Sequence, residues 1–156
     1  MTIYIVLKWL HILSSTILFG TGIGIAFFKW SADRSRNLNL ISGVNELTVW
    51  ADWIFTTPAV IIQPLTGFAM IFLAGYPLNT PWIMLATSLY LVAGCCWLPV
   101  LRLQIEMRTL SRTAMIENSH LPDNYWRYAR TWLWLGVPAF LSLVTVFWLM
   151  VSKPIG

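Results

Sequence analysis

The segment VWADWIFTTPAVIIQPLTGFAMIFLA, residues Val49 to Ala74, decides the fold of this chain. It is apolar over more than the about 20 residues that a helix needs to cross the hydrocarbon core of a bilayer. Inside a bilayer every backbone polar group must be hydrogen-bonded within the structure, and the segment lacks the alternation of a transmembrane β-strand. We therefore predict that it is a membrane-spanning helix.

Three further apolar stretches have the length of a span, at about Ile3–Phe28, Trp82–Leu101 and Thr131–Val151. Hydrophobic residues make up 58% of the 156 residues and charged residues 10%. A soluble domain carries about 25% charged residues, so a soluble globular protein is excluded, and the apolar excess excludes disorder. The first stretch is too long for a signal peptide and lacks a basic start, so we expect it to be retained. These observations predict a single all-α domain over residues 1–156, an integral membrane four-helix bundle that contacts the lipid bilayer.

The distribution of lysine and arginine predicts the orientation of the bundle. Lys29, Arg34 and Arg36 lie between the first and second spans. The segment between the third and fourth spans contains five arginines, Arg102, Arg108, Arg112, Arg127 and Arg130. We expect both basic segments in the cytoplasm, the third helix extended there over residues 102–116, and both termini in the periplasm of a bacterial inner membrane. The net charge of +4 is thus a topology signal, and no nucleic acid partner is expected.

The first predicted helix carries two ionisable side chains one turn apart, Lys8 and His11. Lys8 lies near the outer end, whereas His11 lies roughly 12 Å into the span at 1.5 Å per residue. Imidazole is the commonest metal ligand and also carries protons, so His11 is a candidate metal or proton site. A structural histidine hydrogen-bonded to a neighbouring helix is the alternative.

The second predicted helix places polar residues on one stripe at helical spacing. The stripe consists of Asp52, Thr56, Ala59, Gln63, Gly67 and Met70. We expect Asp52, Thr56 and Gln63 to face the bundle interior, because exposing them to hydrocarbon is costly. Asp52 is expected to meet water or to pair with Arg102 or Arg130. The stripe is a candidate wall of a polar cavity or cofactor site, and polar packing around a kink at its two prolines is the alternative.

Matching depths across the predicted helices suggests one polar layer in the outer half of the bundle. Gln63 returns to roughly the depth of His11. The corresponding positions are near Ser88 and Tyr90 on the third helix and near Ser142 and Thr145 on the fourth. Tyr90 therefore joins Asp52, Thr56 and Gln63 in the predicted polar intramembrane site.

Four stretches together resemble a bacterial family of small integral membrane proteins, domain of unknown function 2269. They are LKWLHILSSTILFGTGIG (7–24), ADWIFTTPAVIIQPLTG (51–67), CCWLPVLRLQIEMR (95–108) and PAFLSLVTVFWLMVSKP (138–154). The resemblance covers nearly the whole chain and implies a four-span inner-membrane protein. It implies no established activity.

A more distant resemblance concerns the first helix. Lys8-Trp9-Leu10-His11-Ile12 is similar to the KxLHI pattern of the HemJ-type protoporphyrinogen oxidases, which are also small four-span membrane proteins. In that family the histidine is implicated in binding haem b. The resemblance implies His11 as a haem b ligand, and Lys8 is then the best-placed partner for a propionate.

The rest of the haem site is less well matched. Met70 or Met84 is the candidate for the opposite axial ligand, since both lie toward the outer end; the alternative is a five-coordinate iron with His11 as its one protein ligand. The HemJ-type third helix carries a lysine shortly after a tryptophan, whereas Trp82 is followed by Ile83, Met84, Leu85 and Ala86. Oxidation of protoporphyrinogen is therefore not expected.

Three functions remain open from the sequence. The first is a haem b or redox protein centred on His11. The second is a binding or transport module for a small solute or proton along the stripe from Asp52 to Gln63, for which four helices would need to form a homo-oligomer. The third is a structural or assembly subunit with a membrane partner. The sequence does not decide whether the protein is an enzyme.

Overall fold

The computed structural model describes residues 2–153, which form helices joined by short connections and contain no strand. The helices are α1 (Thr2–Ser35), α2 (Leu38–Ala51), α3 (Thr57–Ala74), α4 (Pro81–Ile116) and α5 (Asp123–Ser152). A π-helical turn, Asp52–Thr56, joins α2 to α3, so that Leu38–Ala74 is one continuous helix. The four resulting helices are each long and apolar enough to cross a membrane. The predicted all-α, four-span bundle is confirmed.

The first connection is much shorter than the apolar pattern suggests. α1 continues to Ser35, and α2 begins at Leu38 because the side chain of Asn37 accepts hydrogen bonds from the backbone N–H groups of Asn39 and Leu40. Lys29 was placed between the first two spans, but it lies inside α1 and is 1% exposed. That placement was wrong because α1 continues past Lys29 to Ser35. The ammonium group can be buried because it has hydrogen-bond partners inside the bundle, which are described below.

The turn Asp52–Thr56 follows from the proline that comes after it. Pro58 has no backbone N–H to continue the α-helical ladder. The N–H of Thr57 donates to the carbonyl of Asp52, five residues earlier, which is the π-helical pattern. The widened turn leaves both Asp52 and Thr56 buried, while Trp53, Ile54 and Phe55 between them are exposed.

Two clusters of buried residues hold the bundle together. One lies at the end where α1 and α4 terminate, here called the arginine-rich end because Arg34, Arg112 and Arg127 are exposed there. This cluster contains Ala32, Ile41, Val100, Met107, Tyr125 and Trp132. The second lies at the opposite end and contains Trp82, Ile83, Ala86 and Leu149.

Helix packing is uneven around the bundle. α4 packs along α5, α1 packs along α2 and α3, and α2 packs along α4. Midway along the bundle α1 meets α5 through Phe19, whose ring lies 5.3 Å from the rings of both Phe140 and Phe147. At the arginine-rich end the two helices meet again through hydrogen bonds to Tyr125. These sparse contacts leave space between α1 and α5 that becomes important below.

Candidate functional site

A cavity of about 510 Å³ lies between α1, the π-helical turn, α4 and α5. Its volume falls within the roughly 300–1,000 Å³ of small-molecule sites. Asp52 and Thr56 of the π-helical turn lie on its wall together with Trp97 and Gln104 of α4 and Trp132 of α5. Most of the remaining wall is aliphatic or aromatic.

Every buried side-chain polar atom that lacks a hydrogen-bond partner among residues 2–153 belongs to a residue lining this cavity. These atoms, called the unpaired set below, are Asp52 Oδ2, Thr56 Oγ1, Trp97 Nε1, Gln104 Oε1 and Trp132 Nε1. Buried polar groups in proteins nearly always have a partner. Leaving one without a partner costs roughly 1–3 kcal/mol. Five such atoms around one cavity make it the strongest candidate for a ligand site.

The atoms of the unpaired set are buried, and the carboxyl group of Asp52 forms no ion pair with a described cation. Asp52 is 4% exposed, Thr56 5% and Gln104 4%. The ion pairs found in the described part of the chain are Lys29–Asp33 and Arg108–Glu46, and neither includes Asp52. The expected pairing of Asp52 with Arg102 or Arg130 was therefore wrong, since both arginines are exposed.

The cavity reaches the outer surface between α1 and α5. Ile23 and Phe27 of α1 line it and are 43% and 59% exposed, and Leu133 and Leu141 of α5 line it and are 47% and 58% exposed. In a four-span membrane protein, exposed apolar side chains at this level face lipid tails. The opening is therefore lateral, toward the hydrocarbon of the bilayer.

A second polar cluster ties four helices together at the arginine-rich end. Lys29 Nζ donates to Asp33 Oδ2 at 3.1 Å, to Asn45 Oδ1 at 3.0 Å and to the Tyr125 hydroxyl at 3.1 Å. The Tyr125 hydroxyl donates to Asp33 Oδ1, and Asn45 Nδ2 donates to the hydroxyls of Tyr125 and Ser111. All three ammonium protons are used, which makes this cluster a structural anchor.

The Lys29 cluster was missed because lysine near a helix end was interpreted only as a topology signal. The spacing of Lys29 and Asp33, one turn apart, could have indicated an ion pair. Trp132 connects this cluster to the cavity. Its ring centroid lies 5.8 Å from the Lys29 ammonium, while its indole nitrogen belongs to the unpaired set.

His11 lies in a polar layer between α1 and α3 toward the opposite end. Nδ1 of His11 is 2.8 Å from Thr66 Oγ1, and Gln63 Nε2 donates to the His11 carbonyl and to Ser14 Oγ, each at 2.7 Å. The predicted proximity of His11 and Gln63 is confirmed. Thr66 and Ser14 were not predicted as members, although Thr66 lies three residues after Gln63 and therefore beside it on the helix surface.

Two backbone carbonyls compete with His11 for the hydroxyl proton of Thr66. Thr66 Oγ1 lies 2.7 Å from the carbonyl oxygen of Ile62 and 3.2 Å from that of Gln63. In the tautomer that carries its proton on Nδ1, the hydroxyl donates to one of these carbonyls and accepts from Nδ1–H, which leaves the lone pair of Nε2 free. A fixed Nδ1–H and a free Nε2 are the usual arrangement of a metal-binding histidine.

The space beside His11 is small. A cavity of about 80 Å³ is lined by His11, Gln63, Gly67, Tyr90 and Met150, among others. This is well below the roughly 300–1,000 Å³ of small-molecule and cofactor sites, so the cavity as it stands has no room for a haem. In the described residues no group of three or more His, Cys, Asp or Glu side chains converges on a metal site.

The other predicted site residues are dispersed. Lys8 and Met84 are exposed, Met70 is half-buried, and none of the three lines the cavity beside His11. Tyr90 lines both cavities and donates to the carbonyl of Val60 at 2.8 Å. The structure thus brings Asp52, Thr56 and Tyr90 to the large cavity, and Gln63, His11 and again Tyr90 to the small one.

The predicted outer layer also differs on α4 and α5. Ser142 is buried, but Ser88 and Thr145 are exposed. Thr145 donates to the carbonyl of Leu141 in its own helix. The rotation of each helix, in addition to the position of a residue along it, decides which side chains face inward.

Comparison with known proteins identifies a family but no function. A family model described as "Predicted integral membrane protein (DUF2269)" matches residues 5–154. No curated protein and no solved structure matches the chain.

Proposed function

This chain belongs to the DUF2269 family of predicted integral membrane proteins, and from that premise we propose that it binds a small lipid-soluble molecule in the cavity between α1, α4 and α5. The observation that carries the proposal is the unpaired set, whose five atoms all belong to residues on the wall of one cavity. A bound polar head group would supply the hydrogen bonds that the protein does not make internally.

The lateral opening supports a ligand that arrives through the bilayer. Exposed apolar residues of α1 and α5 form the rim, so a molecule dissolved in lipid reaches the cavity without crossing water. The two clusters of buried residues, one at each end of the bundle, favour binding over conduction of a solute from one aqueous side to the other. Within this proposal the protein is a binding module, with the bilayer as the source of its ligand.

We further propose that the bundle resides in a bacterial inner membrane with both termini in the periplasm. The arginines lie in or beside the last turns of α1, the second half of α4 and the first turns of α5, all toward one end of the bundle. Lys153 is the basic residue at the other end outside the apolar runs. An excess of lysine and arginine marks the cytoplasmic side of a membrane protein.

The binding proposal is tested by filling the cavity. Gly136 lines it, and a Cβ at this position would meet no atom within 4 Å, so Gly136→Leu adds volume without a clash at its base. Gly20→Leu is the matched control, because Gly20 has the same open surroundings and does not line the cavity. Organic-soluble molecules that copurify with each protein are extracted and quantified by mass spectrometry.

We expect one compound class to be enriched with the unmodified protein and with Gly20→Leu, and to be lost with Gly136→Leu. Identical extracts from all three proteins would contradict the proposal. Circular dichroism on each sample verifies that the helices are intact.

A second candidate function is haem b binding by His11, favoured by the contact of Nδ1 with Thr66, because the Nδ1–H tautomer leaves the lone pair of Nε2 free. The cavity beside His11 as it stands has no room for a haem, so the group would have to sit at the lipid-facing side of α1 and α3. If His11 is a ligand, protein produced with ample haem has a Soret band, His11→Ala loses it, and the control His120→Ala keeps it. Colourless protein, or an unchanged spectrum of His11→Ala, would remove His11 as a haem ligand.

A further inference from the structure

The unpaired set contains two chemically different kinds of atom. Oδ2 of Asp52 and the amide oxygen Oε1 of Gln104 are acceptors, whereas the indole N–H groups of Trp97 and Trp132 only donate. The hydroxyl of Thr56 does either. A ligand that satisfies the whole set must therefore present hydrogen-bond donors and acceptors together.

This requirement excludes several classes of head group. A ketone or an ester only accepts, so it offers no donor to an ionised Asp52 or to the amide oxygen of Gln104. An ammonium group only donates, and leaves the indoles of Trp97 and Trp132 unpaired. A hydroxyl group both donates and accepts, so two or more hydroxyls on one head group can donate to Asp52 and Gln104 and accept from the two indoles.

The wall of the cavity favours an aromatic framework for these hydroxyls. Six aromatic side chains line it, namely Phe19, Phe27, Tyr90, Trp97, Trp132 and Phe140. Aromatic rings pack against one another in offset-stacked and edge-to-face arrangements. An apolar cavity of roughly 150 Å³ already accommodates benzene, so 510 Å³ accommodates a substituted ring and the first part of a tail.

Resting on the proposed function, we infer that the ligand is a lipid-soluble aromatic diol of the hydroquinone type. Its hydroxyl groups meet the unpaired set, its ring packs among the aromatic side chains, and its apolar tail leaves between α1 and α5 into the bilayer. The inference concerns binding alone and includes no transfer of electrons.

Three probes with the same tail separate the contributions of ring, acceptor and donor. They are 2-decylhydroquinone, its dimethyl ether, which has acceptors but no donor, and decylbenzene, which has neither. Binding to the full chain in phospholipid nanodiscs is measured under nitrogen, with protein-free nanodiscs correcting for partition into lipid. We expect 2-decylhydroquinone to bind at least about tenfold more tightly than the dimethyl ether, because only the diol satisfies both acceptors of the set.

Substitution of one acceptor identifies the site. Gln104→Met removes the amide oxygen and keeps a side chain of similar length. It should weaken the binding of 2-decylhydroquinone about tenfold and leave the affinity for decylbenzene unchanged. Unchanged binding of decylbenzene verifies that the cavity is folded. Gln63→Met is the matched control, since Gln63 is a buried glutamine outside this cavity, and it should not alter the preference for the diol.

The outcomes distinguish this inference from the proposed function. Equal affinities for the three probes, or an unchanged preference in Gln104→Met, overturn the assignment of a hydroquinone while binding that is sensitive to Gly136→Leu upholds the cavity as a binding site. If no probe binds, the assignment of a hydroquinone is overturned, and the copurification experiment decides the proposed function independently. If Gly136→Leu binds all three probes like the unmodified protein, the probes do not occupy this cavity and the assignment is likewise overturned.

Discussion

The ammonium group of Lys29 donates to the hydroxyl of Tyr125 over 3.1 Å, although the two residues are 96 positions apart in the chain. The same hydroxyl donates to Asp33 and accepts from Asn45. Lys29 and Asp33 belong to α1, Asn45 to α2 and Tyr125 to α5, so this one oxygen joins three helices. The geometry predicts that the cluster stabilises the arginine-rich end of the bundle.

Removing the Tyr125 hydroxyl should therefore destabilise the protein. Tyr125→Phe leaves Lys29, Asn45 and Asp33 each short of one partner, and we expect the free energy of unfolding to fall by about 1–3 kcal/mol. Denaturant unfolding in detergent, followed by circular dichroism, measures the change. Tyr128→Phe on the same helix is the control, and equal stability of the two variants would show that the cluster contributes nothing.

Lys29→Met should be more damaging than Lys8→Met. The first substitution leaves Asp33 without its cation, and breaking a buried pair costs on the order of 3 kcal/mol. Lys8 is exposed, and no ion pair of the described residues includes it, so its replacement should change stability by less than about 0.5 kcal/mol. The two unfolding curves are compared directly. If Lys29→Met were as stable as the unmodified protein, the buried ammonium group would have no stabilising role.

Two isosteric threonine substitutions should change the free energy of unfolding in opposite directions. The hydroxyl of Thr56 is buried without a partner, so Thr56→Val should stabilise ligand-free protein by about 1 kcal/mol. The hydroxyl of Thr66 binds His11 and the Ile62 carbonyl, so Thr66→Val should destabilise it by about 1–2 kcal/mol. Both changes are measured by unfolding of delipidated protein, and a loss of stability in Thr56→Val would mean that its hydroxyl is already satisfied.

The proposed orientation can be tested by accessibility of single cysteines. In a background where Cys95 and Cys96 are replaced by serine, Ser119→Cys should react with a membrane-impermeant maleimide only after the membrane is opened. Asn79→Cys, in the connection at the opposite end, should react in intact spheroplasts. The reverse pattern would place the arginine-rich end outside and overturn the orientation that the positive charges predict.

The number and placement of the spans were predictable from the sequence because hydropathy acts residue by residue. Four apolar runs must be helices wherever they pack, since the bilayer offers no partner for backbone groups. The inward face of Val49–Ala74 was predictable for the same reason. Asp52, Thr56 and Gln63 are too polar to face lipid, and their spacing puts them on one side of a helix, where all three are buried.

Which polar groups meet depends on how the helices pack against one another. Trp97, Gln104 and Trp132 line the same cavity as Asp52 because α4 and α5 turn particular faces toward the π-helical turn, and that rotation depends on how all four helices pack. Lys29 is buried because its partners lie on α1, α2 and α5, and no local pattern brings Asn45 and Tyr125 together. Hydropathy fixes the position of a residue along the membrane normal, whereas the contacts across the bundle are set by the packing of residues distant in the chain.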